Sequence, residues 1–145
     1  MNQPFLSIAV PTFNRAKKLE SQLSSLHKIL LNSRFSSNIE LVVVDNCSTD
    51  STQDCIKHFN NLEREYIFLS YKNEMNIGAE RNFGQGILRS QGEFTWLLSD
   101  DDTVHEDAID HIYESLYNNQ EVGFCFVNFD LDPTIGVPAI KVADN

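Results

Sequence analysis

The chain has 145 residues, 41% of them hydrophobic and 22% charged, which is the balance of an ordinary folded domain long enough to bury a core. Its formal net charge is −10, and no Lys/Arg run offers a basic face. That excludes nucleic-acid binding by counterion displacement, but not a phosphorylated small molecule whose charge a metal neutralises. Cys47, Cys55 and Cys125 lack CxxC spacing, so neither a zinc site nor a disulfide framework follows, and they read as reduced packing thiols. Nothing in residues 1–7 resembles a signal peptide, and the longest apolar runs are too short to span a bilayer.

In chain order, residues 5–10 form a short apolar run closed by Pro11 and predict a central strand. A loop over 11–15 follows, with Asn14 in the place of a helix N-cap. Leu19, Leu23, Leu26 and Leu30 then recur at helical spacing and predict a helix ending near Asn32. Residues 33–38 are a mostly polar connector, and Ile39–Asp45 is the clearest strand, rich in β-branched residues and ending in an acid. Asp50 with Gln53 three later resembles a capping box for a second helix, whose stripe is Ile56, Phe59 and Leu62. Residues 66–71 read as a third strand and 73–78 as a turn-rich loop in which Gly78 can take a positive φ.

A third helix is predicted over Ala79–Arg89, with Ala79, Phe83 and Ile87 on one side and Gly84 and Gly86 weakening it unless a backbone or ligand comes close. Residues 93–98 give a fourth strand. Thr103 with Glu106 suggests another capping box, and Ile109, Ile112 and Leu116 carry a fourth helix. Residues 122–129 predict a fifth strand. The tail from Asp130 is Pro/Gly-punctuated, with scattered apolar residues such as Val137, Ile140 and Val142.

Strands alternating with helices imply an α/β fold with a mostly parallel sheet, helices on both faces and right-handed crossovers. In such a sheet the strand tips share one edge, where ligands bind. That edge would gather 11–14, 45–50 and 99–102. The last of these joins Trp96-Leu97-Leu98, reading as a buried strand end, to three consecutive carboxylates, Asp100, Asp101 and Asp102. Adjacent carboxylates repel, so such a tip favours a cation, and hard oxygen ligands suit magnesium or manganese.

The sequence also resembles a known family. Val10-Pro11-Thr12-Phe13-Asn14-Arg15 resembles the PTYNR signature of family 2 glycosyltransferases, which have the GT-A fold. Residues 42–50, VVVDNCSTD, resemble their VVDDGSTD, with Asn46 and Cys47 replacing the usual Asp and Gly. Residues 76–84, NIGAERNFG, resemble a slightly shortened NxGxxxARNxG, and LLSDDD at 97–102 resembles the DxD region. The resemblance covers residues 5–128. It implies a nucleotide-diphosphate sugar donor, UDP-sugar favoured, with Mn2+ or Mg2+. It also implies inverting transfer to a hydroxyl of a glycan or lipid-linked acceptor in bacterial polysaccharide assembly.

Carried over by position, Thr12 and Asp45 would contact the base, Arg81 the base or phosphates, and Asp100 the ribose. Pro11, Asn14 and Asn46 would complete the donor-binding set. Asp101 would hold the metal, with Asp102 the alternative ligand one residue on. The family's general base lies in the second half of its domain, so it is expected beyond Asn145; no motif supports Asp130 or Asp132 in that role. The chain then reads as a single domain truncated at its C-terminal side, the donor-binding part of a longer transferase. Such a protein would be cytoplasmic and peripheral at the inner face of the membrane, and the isolated piece could self-associate through apolar surface.

The alternative reading is a non-catalytic nucleotide-sugar-binding module. A phosphotransfer receiver domain would need a Lys at the tip of the last strand, which 122–129 does not offer. A dinucleotide-binding domain would need glycines after the first strand, where Pro-Thr-Phe-Asn stands instead.

Overall fold

A computed structural model describes residues 3–119, 121–123, 125–127 and 140–142. The chain forms two compact units, Met1–Thr103 and Val104–Asn145. In the first unit, strands β1 (Leu6–Thr12), β2 (Ile39–Asp45), β3 (Ile67–Lys72) and β4 (Phe94–Leu97) alternate with helices α1 (Ala16–Asn32), α2 (Thr52–Asn60) and α3 (Ala79–Arg89). The strands form one parallel sheet in the order β3-β2-β1-β4. Every residue of β1 and β2 is buried, as the continuous apolar runs require of central parallel strands. The α1 stripe Leu19, Leu23, Leu26 and Leu30 is buried as its spacing predicts.

The order contains a reversal. The chain steps outward from β1 to β2 to β3, then returns to the other side of β1 to lay down β4. Right-handed crossovers put α1 and α2 on one face and the return helix α3 on the other. A crevice opens at the carboxyl ends of β1 and β4, where the direction of winding changes.

Pro11 does not close β1; the strand runs through it to Thr12. The Ala9 carbonyl accepts from Leu98 N–H on the β4 side, and the Thr12 carbonyl accepts from Asn46 N–H on the β2 side. Backbone groups alternate sides, so Pro11 faces the β4 side, where the β4 register has already ended at Ala9↔Leu97. Its missing N–H therefore removes no ladder bond.

Helix α3 has the predicted bounds but the opposite face inward. Asn82 and Gly86 are buried, whereas Phe83, Ile87 and Leu88 are exposed. A Cβ on Gly86 would lie 3.3 Å from both the Ala9 Cβ and a Leu97 methyl, so glycine lets the helix sit close on the sheet. At the amino end of the sheet, Gly92 N–H donates to Ser7 Oγ at 2.8 Å and Ser7 Oγ donates to buried Glu40 at 2.7 Å. The same Glu40 oxygen accepts from Gln91 N–H at 2.9 Å. This relay fixes where β4 begins.

The predicted caps are rearranged. Asn14 is not the α1 N-cap; Arg15 holds that position without a side-chain bond. Asn14 sits in the left-handed region at φ 52 and bridges to the β2–α2 loop. The first N–H of α1, at Ala16, donates instead to Asp50 at 3.1 Å, a carboxylate supplied from another loop. Asp50 also accepts from Thr52, but Gln53 does not complete the capping box. It turns to buried Asp45, where an amide donor meets a carboxylate in a stronger charge-assisted bond. Cys47, standing where the family pattern has Gly, is held at φ 65.

In the second unit, α4 (Ala108–Asn118) buries Ile109, Ile112 and Leu116. Asp107 is its N-cap, so the Thr103–Glu106 capping box does not form at its start. The expected fifth strand is β5 (Cys125–Val127) among the described residues. It pairs antiparallel with β6 (Ile140–Val142), inside the stretch read as an irregular tail. A short apolar run specifies a strand but not its partner. Asp130 and Asp132 lie outside the described residues.

Three outcomes follow for stability. A Cβ on Gly92 would lie 2.6 Å from Ser7 Oγ and 2.7 Å from Ser7 N. Gly92→Ala is expected to cost about 1–3 kcal/mol in urea unfolding. Cys47→Gly relieves a left-handed β-carbon and is expected to gain about 1 kcal/mol in the same measurement. For Asp50, burial opposes the charge, but the bonds from Thr52 and Ala16 outweigh it and hold the carboxyl below its ordinary value. A depressed folded-state pKa stabilises above the unfolded pKa of about 4 and is lost as pH falls through that range. Asp50→Ala should lower the melting temperature near neutral pH, with the gap closing as the solution is acidified below about pH 4.

Candidate functional site

The carboxyl ends of β2, β1 and β4 lie side by side, and the first unit joins them through polar side chains. Thr12, the last residue of β1, donates its hydroxyl to Asp100 Oδ2 at 2.7 Å across the crevice. Both residues are 3% exposed. Pro11 is buried one residue earlier, opposite Val44 of β2. Asp100 therefore turns inward, while Asp101 and Asp102 turn towards solvent.

Two cations hold this turn. Arg15 Nη1 lies 2.9 Å from Asp100 Oδ1 and 3.1 Å from Asp101 Oδ2, and Lys18 Nζ lies 2.8 Å from Asp101 Oδ2. Ser99 Oγ donates to Asp101 at 2.6 Å, and Ser99 N–H donates to Asp102 at 3.1 Å. The Lys18 ammonium, then the Ser99 hydroxyl, pull the Asp101 carboxyl down to about 2, leaving it ionised throughout the neutral range. A cleft of about 390 Å³ runs along this turn, lined by Lys18, Ser21, Gln22 and residues 100–103.

Asp101 and Asp102 are the residues able to hold a divalent cation. No group of three or more His, Cys, Asp or Glu ligands lies among the described residues. Two hard carboxylates on an exposed turn still fit an ion such as Mg2+, which commonly takes one or two protein carboxylates and completes its shell with water and ligand phosphates. Neither Arg15 nor Lys18 is a predicted site residue. Arg15 lies within the first motif, and Lys18 is one helical turn further along α1, so both are readable only once α1 is seen to start at the crevice.

Asp45 ends β2 with no exposed surface. Its Oδ1 accepts Ser48 N–H at 2.9 Å and its Oδ2 accepts the Gln53 amide at 2.6 Å. Each oxygen keeps a free lone pair. Asn14 joins this loop to the first: its N–H donates to Ser48 Oγ at 2.8 Å, and its side-chain oxygen accepts Thr49 N–H at 2.8 Å. Asn46, next to Asp45, is 2% exposed and bonds into the 73–78 loop. Arg81 is exposed in the first turn of α3 and has no ion-pair partner among the described residues.

Comparison with known proteins gives a consistent family. The family model described as Glycosyl transferase family 2 matches residues 7–140. Abequosyltransferase RfbV of Salmonella typhimurium is 28% identical over 120 residues, covering 83% of this chain and 35% of that protein. Among solved structures, Staphylococcus aureus TarS 1-349 in complex with UDP-GlcNAc superposes with a TM-score of 0.72 at 22% identity, covering 93% of this chain and 37% of that one. Mannosyltransferase PcManGT from Pyrobaculum calidifontis, in complex with GDP-Man and Mn2+, gives a TM-score of 0.67 at 20% identity, over 94% of this chain and 35% of that one. At such identities the structural likeness speaks for the GT-A fold, and this chain spans about a third of the length of these proteins. A family match running through the whole parallel sheet and its three tip loops means that this chain belongs to glycosyl transferase family 2.

Proposed function

We propose that this chain forms the donor-binding part of an inverting glycosyltransferase. The donor is a nucleotide-diphosphate sugar, UDP-sugar favoured, and the acceptor a hydroxyl of a glycan or lipid-linked saccharide in bacterial polysaccharide assembly. The observation that carries the reading is the Thr12–Asp100 bond across the reversal in strand order, with Asp45 on the next strand tip. It puts a carboxylate on each side of β1 at the edge where α/β sheets bind nucleotides.

The residues divide the work by their chemistry. Asp45 accepts a ring N–H of the base, displacing the Gln53 amide that covers it. Asp100, held by Thr12 and Arg15, accepts from a ribose hydroxyl. Asp101 holds Mn2+ or Mg2+ with Asp102 as the alternative ligand, and the cation when bound supplies Lewis-acid stabilisation of the leaving diphosphate. Arg15 and Lys18 neutralise the Asp100–Asp101 pair while no donor is present. Arg81 reaches the base or phosphates from α3. Inversion needs a base on the far side of the sugar to take the acceptor proton, and none of these residues is assigned that part. No helix among the described residues is long and apolar enough to cross a membrane, and a cytoplasmic, membrane-peripheral placement is part of the reading.

Calorimetric titration of UDP, with and without manganese, tests it. Binding to the parent chain should need the metal, and Asp101→Ala should weaken it by at least about tenfold, the effect of losing one charged ligand. GDP and dTDP in parallel identify the base. A folded sample that binds none of the three under any metal condition would overturn the reading.

A further inference from the structure

Asn46 stands where the family pattern has a second aspartate. The Asn46 amide uses every hydrogen-bonding position it has. Its Nδ2 donates to Asn76 Oδ1 at 2.9 Å and to the Gly78 carbonyl at 3.3 Å. Its Oδ1 accepts from Asn73 Nδ2 and from Ile77 N–H, both at 3.0 Å. A side-chain amide offers two donors and one oxygen with two lone pairs, so nothing remains for a base or a ribose.

The orientation of that amide is not a free choice. The Gly78 carbonyl can only accept and the Ile77 N–H can only donate, so a flipped amide loses both. The neighbours are fixed in the same way. Asn82 donates to the Val44 carbonyl at 3.0 Å, leaving its oxygen to accept from Asn73 at 2.9 Å. Asn76 Oδ1 also takes Gly78 N–H at 2.9 Å. Four asparagines thus lace the tip of β2 to the 73–78 loop and end on Gly78, the N-cap of α3 at φ 86. The carbonyl that Asn46 reaches is the one that accepts the first helical bond, from Asn82 N–H at 3.1 Å. Arg81 is three residues beyond that cap.

We propose that Asn46 is a positioning residue and not a nucleotide ligand: it clamps the 73–78 loop over the β2 tip and so sets where α3 presents Arg81. This rests on the donor-site reading above for the role of Arg81, whereas the clamp itself does not. An aspartate at 46 keeps the two accepted bonds and loses both donated ones, and it sets a carboxylate against the Gly78 carbonyl and Asn76 Oδ1. Asparagine, and not aspartate, is therefore the residue that completes this network.

Two measurements on the full chain test the clamp. Amide hydrogen exchange on Asn46→Ala, which removes the Ile77 acceptor and the bond to the Gly78 carbonyl, should speed Ile77 and Gly78 by at least about tenfold while the core amides of β1 and β2 keep their rates. If the Asn46 variants do not fold, Asn76→Ala removes one partner in an exposed loop and should loosen the same two amides. UDP titration with manganese on Asn46→Asp, Arg81→Ala and the double variant reads the consequence. Asn46→Asp should weaken UDP about tenfold in the parent and have little further effect once Arg81 is gone. Unchanged exchange at Ile77 and Gly78 would overturn the clamp. Losses that multiply in the double variant would also overturn it, because Asn46 would then touch the nucleotide itself. Absence of UDP binding by the parent chain counts against the donor-site reading alone, and the exchange result still decides the clamp.

Discussion

The hydrogen bond from Thr12 to Asp100 is the constraint on which the rest of the site depends. It spans the one place where the sheet changes its direction of winding, between β1 and β4. Buried at both ends, it fixes the register in which the acidic turn leaves the strand. With Asp100 turned inward, the next two carboxylates are left at the surface, at the mouth of the cleft. The Thr12 hydroxyl and the Arg15 guanidinium together hold one of three identical side chains inward, and the other two are left outward.

Charge balance follows from that sorting. Three adjacent carboxylates in a chain of net charge −10 would repel one another, and the fold answers with cations from the first turn of α1. The ion pairs of Asp101 are half-exposed and contribute little to stability. Their consequence is local: they keep Asp101 ionised. The amide-rich loops on the other side of β1 are joined mainly through uncharged amide groups. There the four-asparagine network and the Asn14 bridge hold three loops by hydrogen bonds alone.

Much of this was legible in the residues. Ile39–Asp45 and Ala79–Arg89 begin and end where pattern and glycine placement put them, because a buried parallel strand and a helix after a positive-φ glycine have strong local signatures. The convergence of Thr12, Asp45 and Asp100 on one edge follows from alternating strands and helices, since parallel strands bring their carboxyl ends together. The inward face of α3 was not legible. Its apolar residues Phe83 and Ile87 suggest the opposite rotation, and the close approach at Gly86 with the Asn82 bond to Val44 outweighs them. Nor could the caps be assigned, because the acceptor for the α1 terminus comes from Asp50, 34 residues away in sequence.

By itself, then, the sequence determined the alternation of elements, the burial of β1 and β2, and the set of polar loops at one edge, since each of these depends on period and composition within a few residues. Tertiary structure alone decided which carboxylate turns inward, which cations meet the acidic turn, and which groups around Gly78 the Asn46 amide bonds. It also decided that β5 pairs with β6. The physical reason is the same throughout: these are choices among partners distant in the chain, and a hydrogen bond or ion pair has no local signature until folding brings its two ends within about 3 Å.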